Sequence, residues 1–233
     1  MLELCELVKR YPVGDGEDVA VDGVSLSVAA GELVALYGPS GSGKTTLLMM
    51  AAAVFRPDSG AVLLDGREIS TFSSGDAARY RMQDLGFVRQ SLDLIPGATA
   101  LENAALKLIG ERKAREAHRL VEPLLVQLGL GERLGHRAEQ LSMGERQRVM
   151  IARALSTGPR LVLADEPTGS LDTERGRQII ELLSELCRER DVAVLLVTHD
   201  PQVAAYADRV HTLRDGRLAD AQPDAAITSA SVG

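Results

Sequence analysis

Cysteine is nearly absent: the 233 residues include two, Cys5 and Cys187, far apart in the chain. A disulfide framework or a thiolate metal site needs more cysteines, or closer ones. Both are therefore expected to be buried free thiols in apolar segments, in a reducing compartment. No apolar run is long enough to cross a bilayer, and the opening MLELCELVKR lacks the apolar stretch of a signal peptide. The expected location is cytoplasmic, so any work at a membrane would be done through a partner. Positive charge is also short. Against 33 Asp and Glu there are 26 Lys and Arg, a net charge of −7, which argues against a broad electrostatic affinity for nucleic acid or an anionic membrane surface. An anion site has to be local, made of loop amides and a few cations. Apolar residues, by contrast, make up 45% of the chain, ample for one large domain or two small ones.

The most informative segment is Gly38-Pro39-Ser40-Gly41-Ser42-Gly43-Lys44-Thr45-Thr46. It follows the apolar run Leu33 to Tyr37 and precedes Leu47-Leu48-Met49-Met50, so it joins a strand to a helix. The glycines let consecutive N–H groups turn inward on a β-phosphate. Lys44 sets a compact positive charge beside the β- and γ-oxygens, and the Thr45 hydroxyl is placed to ligate Mg²⁺. A dinucleotide-binding loop fits poorly, because Thr46 stands where its third glycine would be. Met49 and Met50 are expected in the core.

The order of elements predicts an α/β fold. Leu2 to Val8 and Val21 to Val28 alternate apolar and polar residues around Val13-Gly14-Asp15-Gly16, as a half-exposed antiparallel pair does. Ala61 to Ile69 adds a strand followed by a tight Asp65-Gly66 turn. Leu33 to Tyr37, Leu161 to Ala164 and Val192 to Val197 are almost unbroken apolar runs, which suits parallel strands covered on both faces. Between Leu101 and Leu155 the period is helical: Leu101, Ala104, Ala105 and Leu108 share one stripe, and Leu120, Leu124, Leu125 and Leu128 another, with Gly129 as a stop. The expectation is a parallel core sheet, a helical insert and a small antiparallel sheet at the edge. Ala219 to Gly233 is read as a disordered tail.

Leu161-Val162-Leu163-Ala164-Asp165-Glu166 ends a buried strand in two adjacent carboxylates. Neighbouring strand residues point opposite ways, so the two can take different roles. Asp165 is placed to hold Mg²⁺ through a water, and Glu166 to polarise the water that attacks a γ-phosphate. His199 follows the strand ending at Val197 and precedes Asp200-Pro201, which puts it at a C-terminal strand edge, where α/β ligand sites form. His118, His136 and His211 have no such placement.

These motifs, in this order, resemble the nucleotide-binding subunit of an ABC transporter over residues 1 to about 218. The resemblance implies a P-loop NTPase domain with a helical subdomain at about 91–157, and further roles. Gln90, after Gly86-Phe87-Val88-Arg89, is similar to a glutamine that reaches Mg²⁺ and senses the membrane partner. Leu141-Ser142-Met143-Gly144-Glu145-Arg146-Gln147-Arg148 resembles the signature sequence, whose Ser142 and Gly144 would meet the γ-phosphate held by an opposite subunit. Ser170-Leu171-Asp172 is similar to the D-loop, His199 to the switch histidine that contacts the γ-phosphate, and Tyr11 to the aromatic ring set against adenine. Implied with these are ATP and Mg²⁺, hydrolysis to ADP and phosphate, a nucleotide-sandwiched dimer, and an integral-membrane permease at the inner face of the cell membrane.

Phe87-Val88-Arg89-Gln90 followed by Leu94-Ile95-Pro96-Gly97-Ala98-Thr99-Ala100-Leu101-Glu102-Asn103, together with ADEPTGSLD, resembles the ATPases paired with permeases of the MacB, lipoprotein-releasing and FtsX-like type. For that group the resemblance implies that dimer closure moves helices and a domain across the membrane. A regulator of cell-wall hydrolysis with no transported substrate is the alternative. A GTPase is disfavoured, since Val197-Thr198-His199-Asp200 is not the pattern that reads guanine. A DNA- or ribosome-acting ATPase is disfavoured because neither long coiled coils nor a second ATPase unit is present. Two positions depart from the family: Met143 stands where glycine is usual, and Arg89 where an apolar residue is usual. Met143 either faces the opposite subunit's nucleotide or packs on the helical insert.

Overall fold

A computed structural model describes residues 1–14, 16–169, 171 and 173–219. Asp15, Ser170 and Asp172 lie outside these residues, as do Asp220 to Gly233, which are all of the expected tail except Ala219.

The unbroken apolar runs form the middle of a six-stranded sheet. Its strands are β3 (Leu33–Tyr37), β6 (Leu85–Arg89), β7 (Leu161–Asp165), β8 (Ala193–Thr198), β9 (Arg209–Arg214) and β10 (Arg217–Ala219), in the order β10-β9-β3-β8-β7-β6. All neighbours are parallel except β9 and β10. Ala219 is thus the last residue of a strand, because Arg217, Leu218 and Ala219 pair back onto Arg214, Leu213 and Thr212.

Side chains of this sheet leave alternately by its two faces, as a period of two requires. Leu33, Ala35, Val162, Ala164, Val194 and Leu196 enter one core, and Val34, Leu36, Leu161, Leu163, Leu195 and Val197 the other. Being buried on both sides is why these strands carry no polar alternation.

The second core is closed by a four-stranded antiparallel sheet, β1 (Leu2–Val13), β2 (Gly16–Val28), β4 (Ser59–Leu64) and β5 (Arg67–Glu68), in the order β2-β1-β4-β5. The Asp65-Gly66 turn forms as expected, with φ of 50° and 76°, the doubly left-handed geometry of a tight hairpin. Cys5 corrects one expectation. The pairing of β1 with β2 slips between Leu4 and Leu7, and Glu6 has φ of 47°. Alternation with the buried Leu2 and Leu4 turns Cys5 outward, and the bulge returns Leu7 to the core; Cys187 is buried, and both thiols are free.

Helices α3 (Ala100–Ala105), α4 (Ala114–Gln127) and α5 (Met143–Leu155) make the insert over the first core, which α6 (Thr173–Glu189) also covers. The N-terminus of α3 is set by Thr99 and Glu102, which bond reciprocally to each other's backbone N–H. The stripe of α4 differs from expectation. Ala117, Val121, Leu124, Leu125 and Leu128 are buried, whereas Leu120 is 50% exposed. At 3.6 residues per turn Leu120 lies roughly 80° round the helix from the centre of that stripe. Leu124→Ala should therefore cost about 2–5 kcal/mol in urea unfolding. Leu120→Ala should stay within about 0.5 kcal/mol of the parent.

Candidate nucleotide site

The C-terminal ends of β3, β6, β7 and β8 meet at one edge of the sheet, and the residues there line a cleft of about 600 Å³. Ser40, Gly41 and Gly43, from the loop of residues 38–43, form its floor. Gly41 and Gly43 have φ of 81° and 99°, open to glycine at no steric cost. A Cβ on Gly38 would lie 2.2 Å from the Leu213 carbonyl oxygen, and one on Gly43 2.0 Å from that of Ala20. The loop is thus wedged between β9 and β2. It is also tied there: Gly38 N–H donates to Thr198 O (3.3 Å), and Gly216 N–H to Ser42 O (3.2 Å).

From Gly43 the chain enters α1 (Lys44–Ala51), whose first-turn amides have no preceding helical carbonyl to bond. No side chain caps this end. The Lys44 ammonium donates to Gly38 O and Pro39 O, both at 2.7 Å, inside the curve of the loop. Burial pulls its pKa down, opposed by the Glu166 and Asp165 carboxylates. The Ser42 hydroxyl is buried with no hydrogen-bond partner. A ring of unbonded amides, a buried cation and an orphaned buried hydroxyl suits a phosphate chain.

The opposite wall comes from strand ends. Asp165 is the last residue of β7, and Glu166 has φ of 46°. That turn brings both carboxylates to the same cleft, whereas a continuing strand would have pointed them to opposite faces. Asp165 is half-buried. Burial and then the Glu166 charge raise its pKa, and Arg89, Lys44 and a hydrogen bond from the Thr45 side chain oppose the rise. His199 Nδ1 lies 2.8 Å from Glu166 Oε1. Gln90, just past the end of β6, also lines the cleft, and its amide rests against Gly169, where a Cβ would stand 2.6 Å from Nε2. Among the described residues no cluster of three His, Cys, Asp or Glu side chains can hold a metal. Thr45 and Asp165 instead offer two hard oxygens beside the phosphate floor, as suits Mg²⁺ that keeps waters and phosphate oxygens in its shell.

Tyr11 closes the mouth, its ring edge-on to Phe55 at 6.3 Å. Two cleft residues, Asp18 and Ala20, were missed in the sequence. Asp18 is directly opposite Tyr11 in the β1–β2 register, so the spacing of the hairpin was the signal that could have found it. Of the expected phosphate-contacting residues, Ser42, Gly43, Lys44, Thr45 and Thr46 stand together at the loop–helix junction. His118, His136 and His211 do not line the cleft. Asp172 lies outside the described residues.

Ser142 and Gly144 are brought to a different place. Ser142 caps α5, its hydroxyl accepting from Glu145 N–H (3.3 Å) while Glu145 accepts from Ser142 N–H (2.8 Å). None of this segment lines the cleft. Met143 is 45% exposed on the first turn of α5 and does not pack into the insert.

Comparison with known proteins agrees with this geometry. The family model described as ABC transporter matches residues 21–169, and the chain belongs to that family. Within it the chain is an ATPase cassette. It is 46% identical over 219 residues to the lipoprotein-releasing system ATP-binding protein LolD 2 of Caulobacter vibrioides, covering 94% of this chain and 96% of that one. It is 43% identical over 238 residues to the macrolide export ATP-binding/permease protein MacB of Burkholderia pseudomallei, covering 97% of this chain but 36% of that protein. The chain thus spans about a third of the length of its MacB relatives. The cassette MJ0796, solved as a dimer, superposes with a TM-score of 0.83 at 37% identity over 94% of this chain and 96% of that one. A post-hydrolysis state of the same cassette, bound to ADP and Pi, matches equally.

The α5 cap yields a pH test. The Ser142 N–H, then the Arg133 guanidinium 2.9 Å away, hold the Glu145 pKa down at about 2. A carboxylate with a depressed folded pKa stabilises the fold above its unfolded pKa, and that stabilisation fades as pH falls toward the folded value. Glu145→Gln keeps an acceptor but removes the charge. It should be less stable than the parent near pH 7, with the gap narrowing once the pH drops below about 4.5, measured by urea unfolding at stepped pH.

Proposed function

We propose that the cleft binds ATP with Mg²⁺ and that hydrolysis there, completed by a second copy or a similar subunit, drives an integral-membrane permease partner. The observation that carries this is the convergence of Lys44, Thr45, Gln90, Asp165, Glu166 and His199 on one cleft, over a loop with a buried, unpartnered Ser42 hydroxyl. Lys44 and the loop amides of residues 40–45 hold the phosphate chain, and the Tyr11 ring faces the base. Thr45 and Asp165 hold Mg²⁺, with Gln90 beside them. When bound, that ion neutralises charge on the β- and γ-oxygens. Glu166 accepts the proton of the attacking water, and His199, bonded to Glu166, orients it and reaches the γ-phosphate side.

The remoteness of Ser142 and Gly144 from the cleft supports a shared site, because their helix N-terminus can meet a γ-phosphate only across an interface. The dimeric MJ0796 cassette supports the same reading. The names of the relatives, one from a lipoprotein-releasing system and others from macrolide export, support a permease partner that turns closure into movement. Among the described residues no helix is long and apolar enough to cross a membrane, so the permease would hold this chain at the inner face.

Glu166→Gln should retain ATP binding and lose turnover by about 10² to 10⁴, the range of general-base removal. Lys44→Ala should lose tight binding instead. Sedimentation of Glu166→Gln with ATP and Mg²⁺ should show a dimer that is absent with ADP. A monomer at saturating ATP would refute the shared site, and near-parent hydrolysis by Glu166→Gln would move the base to His199.

Met143 gives a second test. Because its side chain stands exposed at the N-terminus of α5, Met143→Gly should raise turnover by easing closure and leave the ATP affinity of the single chain unchanged. Equal or lower turnover in steady-state ATPase assays would sink that account.

A further inference from the structure

A second concavity, of about 530 Å³, opens on the other side of the β6 end, floored by Met49, Phe87, Leu106 and Met150. Its rim carries Arg81, Arg89, Lys107 and Arg153 and a single acid, Asp93. Arg89 is the residue that belongs to both sides. It is the last residue of β6, in register with Asp165 of β7, and paired residues on parallel strands stand on the same face about 4.8 Å apart along the hydrogen-bonding direction. Its guanidinium also lies 3.5 Å from Asp93 Oδ2 in the wall of the concavity.

Asp93 is itself well placed. Ser91 donates to its Oδ2 at 2.7 Å, and Arg153 donates to its main-chain oxygen at 3.0 Å. The second contact does not need the carboxylate, so neutralising Asp93 leaves the loop held. Asp93 is thus within ion-pair reach of a guanidinium whose stem starts beside Asp165 on the neighbouring strand.

We propose that Arg89 is a positioning residue for the metal-binding carboxylate, shared between Asp165 and Asp93, so that the charge on the concavity side sets how strongly the cleft holds its divalent cation. This rests on the reading of the cleft as a Mg²⁺–ATP site. A cation close to Asp165 repels a divalent ion, and a carboxylate that draws the cation away relieves that repulsion. An acidic side chain of a partner entering the concavity would act on Arg89 as Asp93 does.

The test is a binding measurement on the full chain. Mn²⁺ is titrated in with a non-hydrolysable ATP analogue, and bound metal is counted by electron paramagnetic resonance, with melting temperatures recorded for each form. Arg89→Leu should tighten Mn²⁺ about three- to tenfold. Asp93→Asn, which releases Arg89 toward Asp165, should weaken it about two- to threefold, as suits an exposed pair. Arg89→Lys should remain near the parent, and the double variant Arg89→Leu, Asp93→Asn should match Arg89→Leu alone. Shifts of the same sign in both single variants, or no shift in either one, would overturn the sharing of Arg89 while leaving the nucleotide site intact. Failure of the parent chain to bind Mn²⁺ with the analogue would overturn the nucleotide reading, and this proposal with it.

Discussion

The close approach of two carbonyls to the phosphate loop governs the rest of the molecule. With Ala20 O and Leu213 O where they are, positions 43 and 38 have no room for a Cβ. The loop can curl only because those positions are glycine, and it stays curled because two strands press on it from different sheets. The antiparallel sheet is thus more than a lid on the second core. It supplies one jaw of the clamp, and the edge of the parallel sheet supplies the other. Lys44, Thr45 and the start of α1 take their places from that clamp.

Around the clamp the electrostatics are arranged by burial. Lys44 is withdrawn from water and bonded to loop carbonyls, while Asp165 and Glu166 face it from the end of β7, one strand beyond β8. Each group alone would be costly to bury, and their opposed charges offset that cost. The left-handed backbone at Glu166 is the local device that turns the second carboxylate into the same space as the first. Gly169 then leaves room for the Gln90 amide to complete the wall.

Much of this was legible in the chain because it is local. The loop, the strand ending in Asp165 and Glu166, and His199 after Val197 each declare themselves within a few residues, and the unbroken apolar runs gave the parallel sheet. What escaped depends on how elements dock. Asp18 and Ala20 reach the cleft only because β2 lies against the loop, and the pairing of Asp18 with Tyr11 is the one mark either carries. Cys5 is exposed because Leu2 and Leu4 take the core face of β1, and Leu120 because the angular centre of its stripe is set by Ala117 and Val121. Arg89 was noticed as a departure, but its double adjacency needs the β6–β7 register. That register pairs residues more than seventy positions apart.

The strand order has one further consequence, for the order of assembly. β3, which carries the phosphate loop, has β8 and β9 as its neighbours, and the β9–β10 turn holds the loop through Gly216. These partners are made more than a hundred residues after the loop. A chain halted between about residues 46 and 193 therefore owns every residue of the phosphate loop and the β2 jaw, but none of the parallel strands that flank β3. Such long-range pairing is slow to form, so nascent fragments expose β3 as an unpaired apolar edge. The capacity to grip a triphosphate therefore arises only once residues 193–219 have followed the loop out.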